Sequence, residues 1–282
     1  MELIVGKRFG EERALYGAVG VRIEQCSFSG DEDGESALKE SREVEIENTT
    51  FYLRYPLWHT SGAVLVDVAM SESCRAPLWY AEDVNIRTSN LEGPKAVREC
   101  RNMHIDSSSV NSEEFGWFCR DISIEQSELS GEYLFLRSKN LVFHHVHLRG
   151  KYSFQYCKGV EIRDSILDTK DAFWECENVT VYDSVVRGEY LGWYAKNIRF
   201  VNCHIVSTQP LCYCEGLVLE NCTMEGCDRA FEYSDVNAVV SGHVDSIKNP
   251  LSGRITVNTV GEIIQDENRR DAAGAVEIVV LA

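Results

Sequence analysis

Short apolar alternations recur along this chain at a fixed spacing of 19 residues, which limits what the chain can fold into. The spacing repeats seven times, and the eight units that it joins begin at Val84, Met103, Ile122, Leu141, Val160, Val179, Ile198 and Leu217. Toward the N-terminus we expect the register to continue at Val64, Val44 and Val21, with steps of 20, 20 and 23 residues. Such a period is typical of repeat proteins, in which each unit buries its apolar side chains against the next unit.

Each unit has the pattern of short strands joined by polar turns. With the first residue of a unit as position 0, positions 0 and +2 are apolar, as in a half-buried strand. Positions −1 and +4 are often Asp or Asn, and position +9 is often Gly, which suits the left-handed backbone of tight turns. The units contain no helical stripe of useful length. We therefore predict an all-β fold, a single-stranded right-handed parallel β-helix (solenoid) of about 12 coils of about 19 residues.

A leucine-rich-repeat-like solenoid is the alternative fold. Residues 217–224 match part of that consensus, but the consensus also has leucine at position −3, where this chain has Cys, Ala or Ser. The usual leucine-rich unit of 20–29 residues is also longer than the unit here. The residue pattern therefore favours the β-helix.

The whole chain, residues 1–282, is expected to be one β-helix domain, since no linker is visible in the sequence. An open end of a solenoid exposes unpaired backbone groups and must be capped. We expect an N-terminal cap over residues 1–20, regular coils over 21–235, and a last coil with a C-terminal cap over 236–282.

The chain has 11 cysteines, and the repeat explains most of them as packing residues. At position −3, Cys alternates with Ala and Ser, so this column selects small size and not sulfur chemistry. Cys26, Cys203 and Cys222 occupy position +5, a second column of small residues. Eight of the 11 cysteines are thus predicted to line the interior as small apolar groups. We predict no disulfide framework, no metal site and no cofactor.

The net charge is −17, from 28 Lys and Arg against 45 Asp and Glu. Nucleic acids and anionic membranes attract basic surfaces, so we expect neither as a partner. The N-terminal sequence has no apolar segment of the kind found in signal peptides. We therefore expect a cytoplasmic protein with reduced thiols.

Aromatic and charged residues form two neighbouring rows before the units. Position −5 carries Lys39, His59, Trp79, Arg98, Trp117, Leu136, Gln155, Trp174 and Trp193. Position −4 carries Glu40, Thr60, Tyr80, Glu99, Phe118, Arg137, Tyr156, Glu175, Tyr194 and Tyr213. One row must face solvent, and rings interleaved with charges indicate either a ligand surface or, as we favour, stacked rings that cover the solenoid and charges that solvate it. Successive residues of a strand point to opposite faces, so both rows share one face only where the backbone turns.

The candidate site residues come from these rows and from a shorter repeat of the form R-x-P-L-W. That repeat covers residues 54–58 and 75–79. The candidate ligand-binding residues are Lys39, Arg54, Arg75, Trp79, Tyr80, Arg98, Trp174 and Glu175. The candidate catalytic residues are Glu40, Glu99 and His59, because carboxylates and imidazoles perform general acid–base chemistry.

Three histidines, His144, His145 and His147, cluster within one unit. In a strand, His145 and His147 would share a face and His144 would point the other way. Two histidines without a third ligand make a weak metal site. We therefore predict no metal at this cluster.

The 19-residue register, the columns of small residues and the R-x-P-L-W elements resemble a family of bacterial proteins of unknown function and similar length. The resemblance covers essentially the whole chain and implies a pectin-lyase-like right-handed β-helix. It implies no activity. Polysaccharide-processing proteins of that fold carry Asp pairs with a Gly-His-Gly element, whereas the nearest segment here, residues 241–243, is Ser-Gly-His, and no Asp-Asp pair occurs.

Two functions are compatible with the sequence. The favoured one is a non-catalytic binding or interaction β-helix that presents its aromatic and charged face to a partner protein, a second copy of itself or a glycan. The alternative is a carbohydrate-active enzyme, similar to a polysaccharide lyase or glycoside hydrolase. Glu40 and Glu99 are three coils apart, or about 14 Å at about 4.8 Å per coil. Glycosidase carboxylates lie about 5 Å or about 6.5–9.5 Å apart, so the spacing favours binding over catalysis.

Overall fold

The computed structural model describes residues 1–30, 34–267 and 276–281. Within these ranges the regular structure is β-strand, apart from one 3₁₀ turn at Glu72–Cys74. The fold is a right-handed parallel β-helix of about 14 turns, which confirms the predicted fold class and excludes the leucine-rich-repeat alternative. The expected number of coils was slightly too low. No helix within the described ranges is long and apolar enough to cross a membrane.

The chain divides into two compact units, and the first is Met1–Val142. Its first ladder contains β1 (Glu2–Val5), β3 (Val21–Glu24), β5 (Arg42–Glu47), β7 (Ser61–Val66), β10 (Glu82–Arg87), β13 (Arg101–Asp106) and β15 (Arg120–Glu125). The second ladder of this unit contains β2 (Arg8–Phe9), β4 (Ser27–Phe28), β6 (Thr50–Phe51), β8 (Ala69–Met70), β11 (Asn90–Glu92), β14 (Ser109–Asn111) and β16 (Glu128–Glu132). A third ladder joins β9 (Leu78–Trp79) to β12 (Val97–Arg98). Within each ladder, strands of adjacent coils pair in parallel.

The second unit is Phe143–Ala282, and the division between the units falls within β17 (Lys139–His144). Its first ladder continues with β19 (Lys158–Arg163), β21 (Glu177–Tyr182), β23 (Lys196–Val201), β25 (Leu217–Glu225), β26 (Asp235–Lys248), β27 (Ser252–Ile264) and β28 (Val276–Val280). Its second ladder contains β18 (His147–Lys151), β20 (Ile166–Lys170), β22 (Val185–Arg187) and β24 (His204–Val206). Here too the strands of adjacent coils pair in parallel.

The ends of the chain hold more strand structure than expected. Within residues 1–20, expected to be a cap, β1 pairs with β3 in the register of the coils, with Glu2 opposite Val21. Beyond residue 235, where one last coil was expected, β26, β27 and β28 pair in parallel. Residues 268–275 and 282 of the expected C-terminal cap lie outside the described residues. The expectation of a single domain stays a prediction.

The register matches the sequence repeat except in one coil of the first unit. Ala63, and not Val64, pairs with Val44 on one side and with Val84 on the other. Ala63 is fully buried, whereas Val64 is only half-buried. Because the sequence offers two consecutive apolar residues there, Val64 satisfied the pattern equally well. The corrected register moves His59 from position −5 to position −4.

The turns between strands use the left-handed backbone that the sequence predicted. At position −1, Asp83 and Asn102 have φ values of 55° and 51°. At position +4, Asn48 and Asp164 have φ values of 48° and 49°. Asp and Asn tolerate this region better than most residues, which explains their recurrence at both positions. The polar turn residues therefore set the corners of each coil.

The column at position −3 is buried throughout, as its small residues predicted. Ser41, Thr60, Ala81, Cys100, Cys119, Ser138, Cys157, Cys176, Ala195 and Cys214 are each at most 2% exposed. Ser and Cys exchange there because either side chain accepts the same backbone hydrogen bond. The Cys119 amide donates to Ser138 Oγ at 2.9 Å, and the Cys100 amide donates to Cys119 Sγ at 3.3 Å. The column therefore requires a small side chain, for which a thiol or a hydroxyl serves equally.

All 11 cysteines lie in the described part of the chain, where each is buried and none forms a disulfide, so their interpretation as packing residues agrees with the structure. One detail was wrong, since Cys212 was expected to point away from Cys214. Both are buried, with 0% and 2% exposure. The alternation rule failed because the backbone turns between them, with a φ of 61° at Tyr213.

The buried thiols are expected to be unreactive in the folded protein. All 11 thiols are buried, so a disulfide reagent cannot reach them, and burial also raises the pKa of Cys74 and of Cys214 to about 12, which disfavours the thiolate that reacts. At about pH 8, Ellman's reagent should react with fewer than one thiol per native chain. In guanidinium chloride it should react with all 11. Rapid reaction of several thiols in the native protein would contradict the buried column.

Candidate binding surface

The two aromatic and charged rows lie on the same face of the coil, because the backbone turns at position −4. In the first unit, Glu40, His59 and Tyr80 have φ values of 62°, 55° and 58°. In the second unit, Glu175 and Tyr194 have φ values of 51° and 60°. A left-handed residue interrupts the alternation of a strand, so positions −5 and −4 both project outward. The sequence left open which row faces solvent, and in the structure both reach it to different extents.

We call the residues at position −4 the outer row and those at position −5 the inner row. The outer row holds Glu40, His59, Tyr80, Glu99, Phe118 and Arg137 in the first unit, and Tyr156, Glu175, Tyr194 and Tyr213 in the second. Its rings are the more exposed, with values of 44% for Tyr80 and 43% for Phe118 and Tyr194. The inner row holds Lys39, Trp58, Trp79, Arg98, Trp117 and Leu136 in the first unit, and Gln155, Trp174 and Trp193 in the second, all half-buried. The outer row is therefore the accessible surface, supported from beneath by the inner row.

Ring stacking orders the outer row. His59 stacks on Tyr80 with a centroid distance of 4.8 Å and an interplanar angle of 17°. In the second unit, Tyr194 stacks on Tyr213 at 4.7 Å and 10°. These distances match the spacing between coils, so each ring lies against the ring of the adjacent coil. In each pair, this stacking covers the face that one ring turns toward the other.

Arg98, a candidate ligand-binding residue, is held inside a cage of aromatic rings. Its guanidinium carbon lies 5.0 Å from the ring centre of Trp79, 4.9 Å from that of Trp117 and 5.6 Å from that of Phe118. Its Nη1 donates to Glu114 at 3.2 Å, and its side chain is only 17% exposed. Cation–π contacts of this kind stabilise the fold. These contacts hold Arg98 beneath the outer row, and the prediction that it binds a ligand remains untested.

The two candidate catalytic carboxylates are both engaged by neighbours. Glu40 accepts a hydrogen bond from the Tyr16 hydroxyl at 2.6 Å, and this bond raises the pKa of Tyr16. Glu99 accepts a hydrogen bond from Trp79 Nε1 at 3.2 Å. The structure thus separates these residues, placing Glu99 in the aromatic cage and Glu40 near the N-terminal coil.

Glu40 and His59 line one shallow depression of about 450 Å³, together with Gly17, Val19 and Arg42. The corrected register explains this proximity, since both residues now belong to the outer row in adjacent coils. Lys39 is half-buried in the inner row, beside Glu40 in sequence. The depression combines a carboxylate, an imidazole and a guanidinium, which are polar groups suited to hydrogen bonding.

Arg54 and Arg75 of the R-x-P-L-W elements belong to neither row. Arg54 forms an ion pair with Glu35 at 3.5 Å and lies 5.8 Å from the ring centre of Tyr55. Arg75 is exposed and follows the 3₁₀ turn, with its amide bonded to the carbonyl of Glu72 at 3.1 Å. Both arginines occupy the turn that precedes the inner row. The prediction that they join Trp79 and Tyr80 in binding a ligand remains untested.

In the second unit the candidates Trp174 and Glu175 belong to a denser aromatic cluster than the sequence suggested. Trp174 lies 5.6 Å from Trp193 and 5.8 Å from Tyr194, measured between ring centroids. Its Nε1 donates to Glu175 at 3.4 Å. A depression of about 300 Å³ beside this cluster is lined by Glu175, Glu177, Tyr194, Lys196, Tyr213 and Glu215. Tyr194 and Tyr213 were not among the predicted site residues, although their recurrence at position −4 was visible in the sequence.

A family model described as "Protein of unknown function (DUF3737)" matches residues 2–279. No curated protein matches the chain. Among solved structures, the surface adhesin PfbA of Streptococcus pneumoniae is 12% identical with a TM-score of 0.36, covering 88% of this chain and 72% of the adhesin. A tailspike protein of an E. coli bacteriophage, solved with a pentasaccharide, is 10% identical with a TM-score of 0.43, covering 92% and 62%.

A third solved structure is the A-module of a mannuronan C-5 epimerase from Azotobacter vinelandii. It is 10% identical with a TM-score of 0.35, and the match covers 99% of this chain and 90% of the module. At such identities the likeness is one of architecture and extends to no activity.

Proposed function

We propose that this chain, which belongs to the DUF3737 family of unknown function, is a non-catalytic binding module. Its outer row is the surface that contacts a protein partner. The observation that carries the proposal is the outer row itself. Within each unit it places a ring or a charged group, exposed or half-buried, on successive coils, each fixed by a left-handed turn. Exposed Tyr, Trp and Phe are enriched at protein–protein interfaces, where large rigid rings contribute much of the binding energy.

The orientation of the rings favours a protein over a polysaccharide. Because Tyr194 stacks on Tyr213 and His59 on Tyr80, one face of each of these rings is covered by its partner. A sugar ring that stacks on an aromatic ring requires a free face, and the stacking within the outer row removes one face of each stacked ring while its hydroxyl groups and carboxylates remain for polar contacts. These groups mainly accept hydrogen bonds, so they suit a partner surface that contains Lys and Arg. The net charge of −17 also favours a basic partner surface.

The engaged carboxylates favour binding over catalysis. A glycosidase needs two carboxyl groups that reach one glycosidic bond from positions about 5 Å or about 6.5–9.5 Å apart. Glu40 and Glu99 are three coils apart, or about 14 Å at about 4.8 Å per coil. Each also accepts a hydrogen bond from an aromatic side chain, which fixes its orientation.

The proposal predicts that weakening the outer row abolishes peptide binding without unfolding the protein. The probe is an array of peptides of graded Lys and Arg content, tested against the full chain. Peptides that bind should lose at least about tenfold in affinity when Tyr194→Ala and Glu175→Gln are combined, since both groups lie on the accessible row. Ile166→Ser is the matched control, because Ile166 is exposed in the same unit but belongs to neither row.

Two results would overturn the proposal. Peptide binding that survives the double variant would exclude the outer row as the contact surface. Turnover of a polysaccharide by the wild-type chain, lost in Glu99→Gln, would establish the carbohydrate-active alternative. Circular dichroism of each variant distinguishes lost binding from lost folding.

A further inference from the structure

His144, His145 and Asp164 converge on the surface of the second unit. The ring centroids of the two histidines lie 4.0 Å apart, and His144 Nε2 lies 3.1 Å from Asp164 Oδ2. One ligand atom from each residue lies within 4.8 Å of the other two. Two imidazoles and a carboxylate are a common ligand set for divalent transition metals.

The two neighbouring histidines meet because the strand ends between them. His145 occupies position +4 and has a φ of 51°, so the backbone turns there. The expectation that His144 and His145 point to opposite faces is therefore wrong. His147, expected to share a face with His145, is paired with Asp168 instead, at 2.9 Å.

The third ligand comes from the next coil of the solenoid. Asp164 occupies position +4 of that coil and has a φ of 49°, the same conformation as His145. The His145 amide donates to the Arg163 carbonyl at 3.2 Å, which holds the two turns together. The sequence showed only two histidines because the third ligand is 19 residues from His145 and is adjacent only in the stacked coils.

We propose that His144, His145 and Asp164 form a binding site for a divalent transition metal ion of the Zn²⁺ class, a site that was not expected from the sequence. Tetrahedral zinc bonds of about 2.0–2.1 Å place ligand atoms about 3.4 Å apart. The ligand atoms of the three residues lie within 4.8 Å of one another, so a modest rotation of the side chains brings them to the spacing that zinc requires. Such rotation is open to both His144 and Asp164, whose side chains are 42% and 44% exposed. With three protein ligands, the ion retains a coordination position for water or an external ligand.

His147 lies close to these residues in the sequence and serves as the control for the proposed site. This histidine also contacts a carboxylate, but Asp168 additionally binds Arg187 Nη1 at 3.2 Å, and His147 Nδ1 contacts Arg149 at 3.0 Å. Two guanidinium groups beside the pair repel a metal cation. His147 and Asp168 therefore resemble the proposed site in composition but should not bind the ion.

The test is a titration of the full chain with Zn²⁺ or Co²⁺ alone, followed by calorimetry and by visible absorption of Co²⁺. Wild type is expected to bind one equivalent and to unfold at a higher temperature when the metal is present. His144→Ala, His145→Ala and Asp164→Asn should each weaken binding at least about tenfold. His147→Ala should bind as wild type does. Asp164→Asn preserves shape, so it reports on ligation even if a histidine variant unfolds.

Three results would overturn the site: an absence of saturable binding, binding unchanged in all three ligand variants, or a thiolate-to-cobalt absorption band. The last would assign the metal to cysteine. None of these measurements depends on the peptide partner proposed above, so the two proposals can fail separately.

Discussion

Replacing Gly188 by alanine is expected to lower the free energy of unfolding by about 4 kcal/mol. Gly188 has a φ of 143°, and a Cβ atom there would lie 2.2 Å from the carbonyl oxygen of Thr169 and 2.5 Å from its carbonyl carbon. Both contacts are with backbone of the neighbouring coil, which cannot rotate away as a side chain can. The chain must therefore separate two coils and also hold alanine at a positive φ that favours glycine, and because each change costs about 1–3 kcal/mol, the two together cost about 4 kcal/mol.

Gly226 is the matched control for this prediction. It occupies the same position +9 in a later unit and has a φ of 62°, but a Cβ atom there would meet nothing within 4 Å. Gly226→Ala should cost only about 1 kcal/mol, from the backbone conformation alone. Urea unfolding followed by far-ultraviolet circular dichroism measures both variants. Equal losses would mean that close approach of the coils does not determine the requirement for glycine.

The two glycines illustrate how far the sequence determines the fold. Position +9 was recognisable as a turn from the recurrence of Gly, as was the small column at position −3 from its exchange of Cys, Ala and Ser. The small column recurs because its side chains are buried between stacked coils, and Gly recurs at position +9 because the backbone takes a positive φ at Gly93, Gly188 and Gly226. The sequence did not distinguish Gly188 from Gly226, since the space around each depends on the path of the preceding coil.

The candidate surface was predictable in composition but not in geometry. The recurrence of rings and charges at positions −5 and −4 was enough to identify Trp79, Tyr80 and Glu99 as candidates. It did not reveal the left-handed turn, because Glu, Tyr and Phe are uncommon in that conformation and give no local signal for it. The same limitation hid the contact between His144 and His145. In each case a turn invisible in the residue types overrode the alternation of a strand.

Replacing Arg98 by alanine is expected to lower the free energy of unfolding by about 3 kcal/mol. The guanidinium group lies within 6 Å of three ring centres, those of Trp79, Trp117 and Phe118, and it binds Glu114. Cation–π contacts that are shielded from solvent contribute about 2 kcal/mol or more. The aliphatic part of the side chain also packs against the rings, and its loss leaves a gap beneath the outer row.

Two further variants separate charge from packing at Arg98. Arg98→Met retains a long apolar side chain without charge. The decrease in its free energy of unfolding relative to wild type therefore measures mainly the cation–π and ion-pair contributions. Arg98→Lys retains the charge but lacks the planar group that lies over Trp79 and Trp117, and it should recover only part of the stability. If Arg98 instead serves a ligand, as the sequence suggested, all three substitutions should leave urea unfolding unchanged and alter binding alone. The alternative outcome is that alanine lowers the free energy of unfolding most, methionine less and lysine least. That order would show that Arg98 supports the outer row, because only a residue whose packing and charge both stabilise the fold gives it.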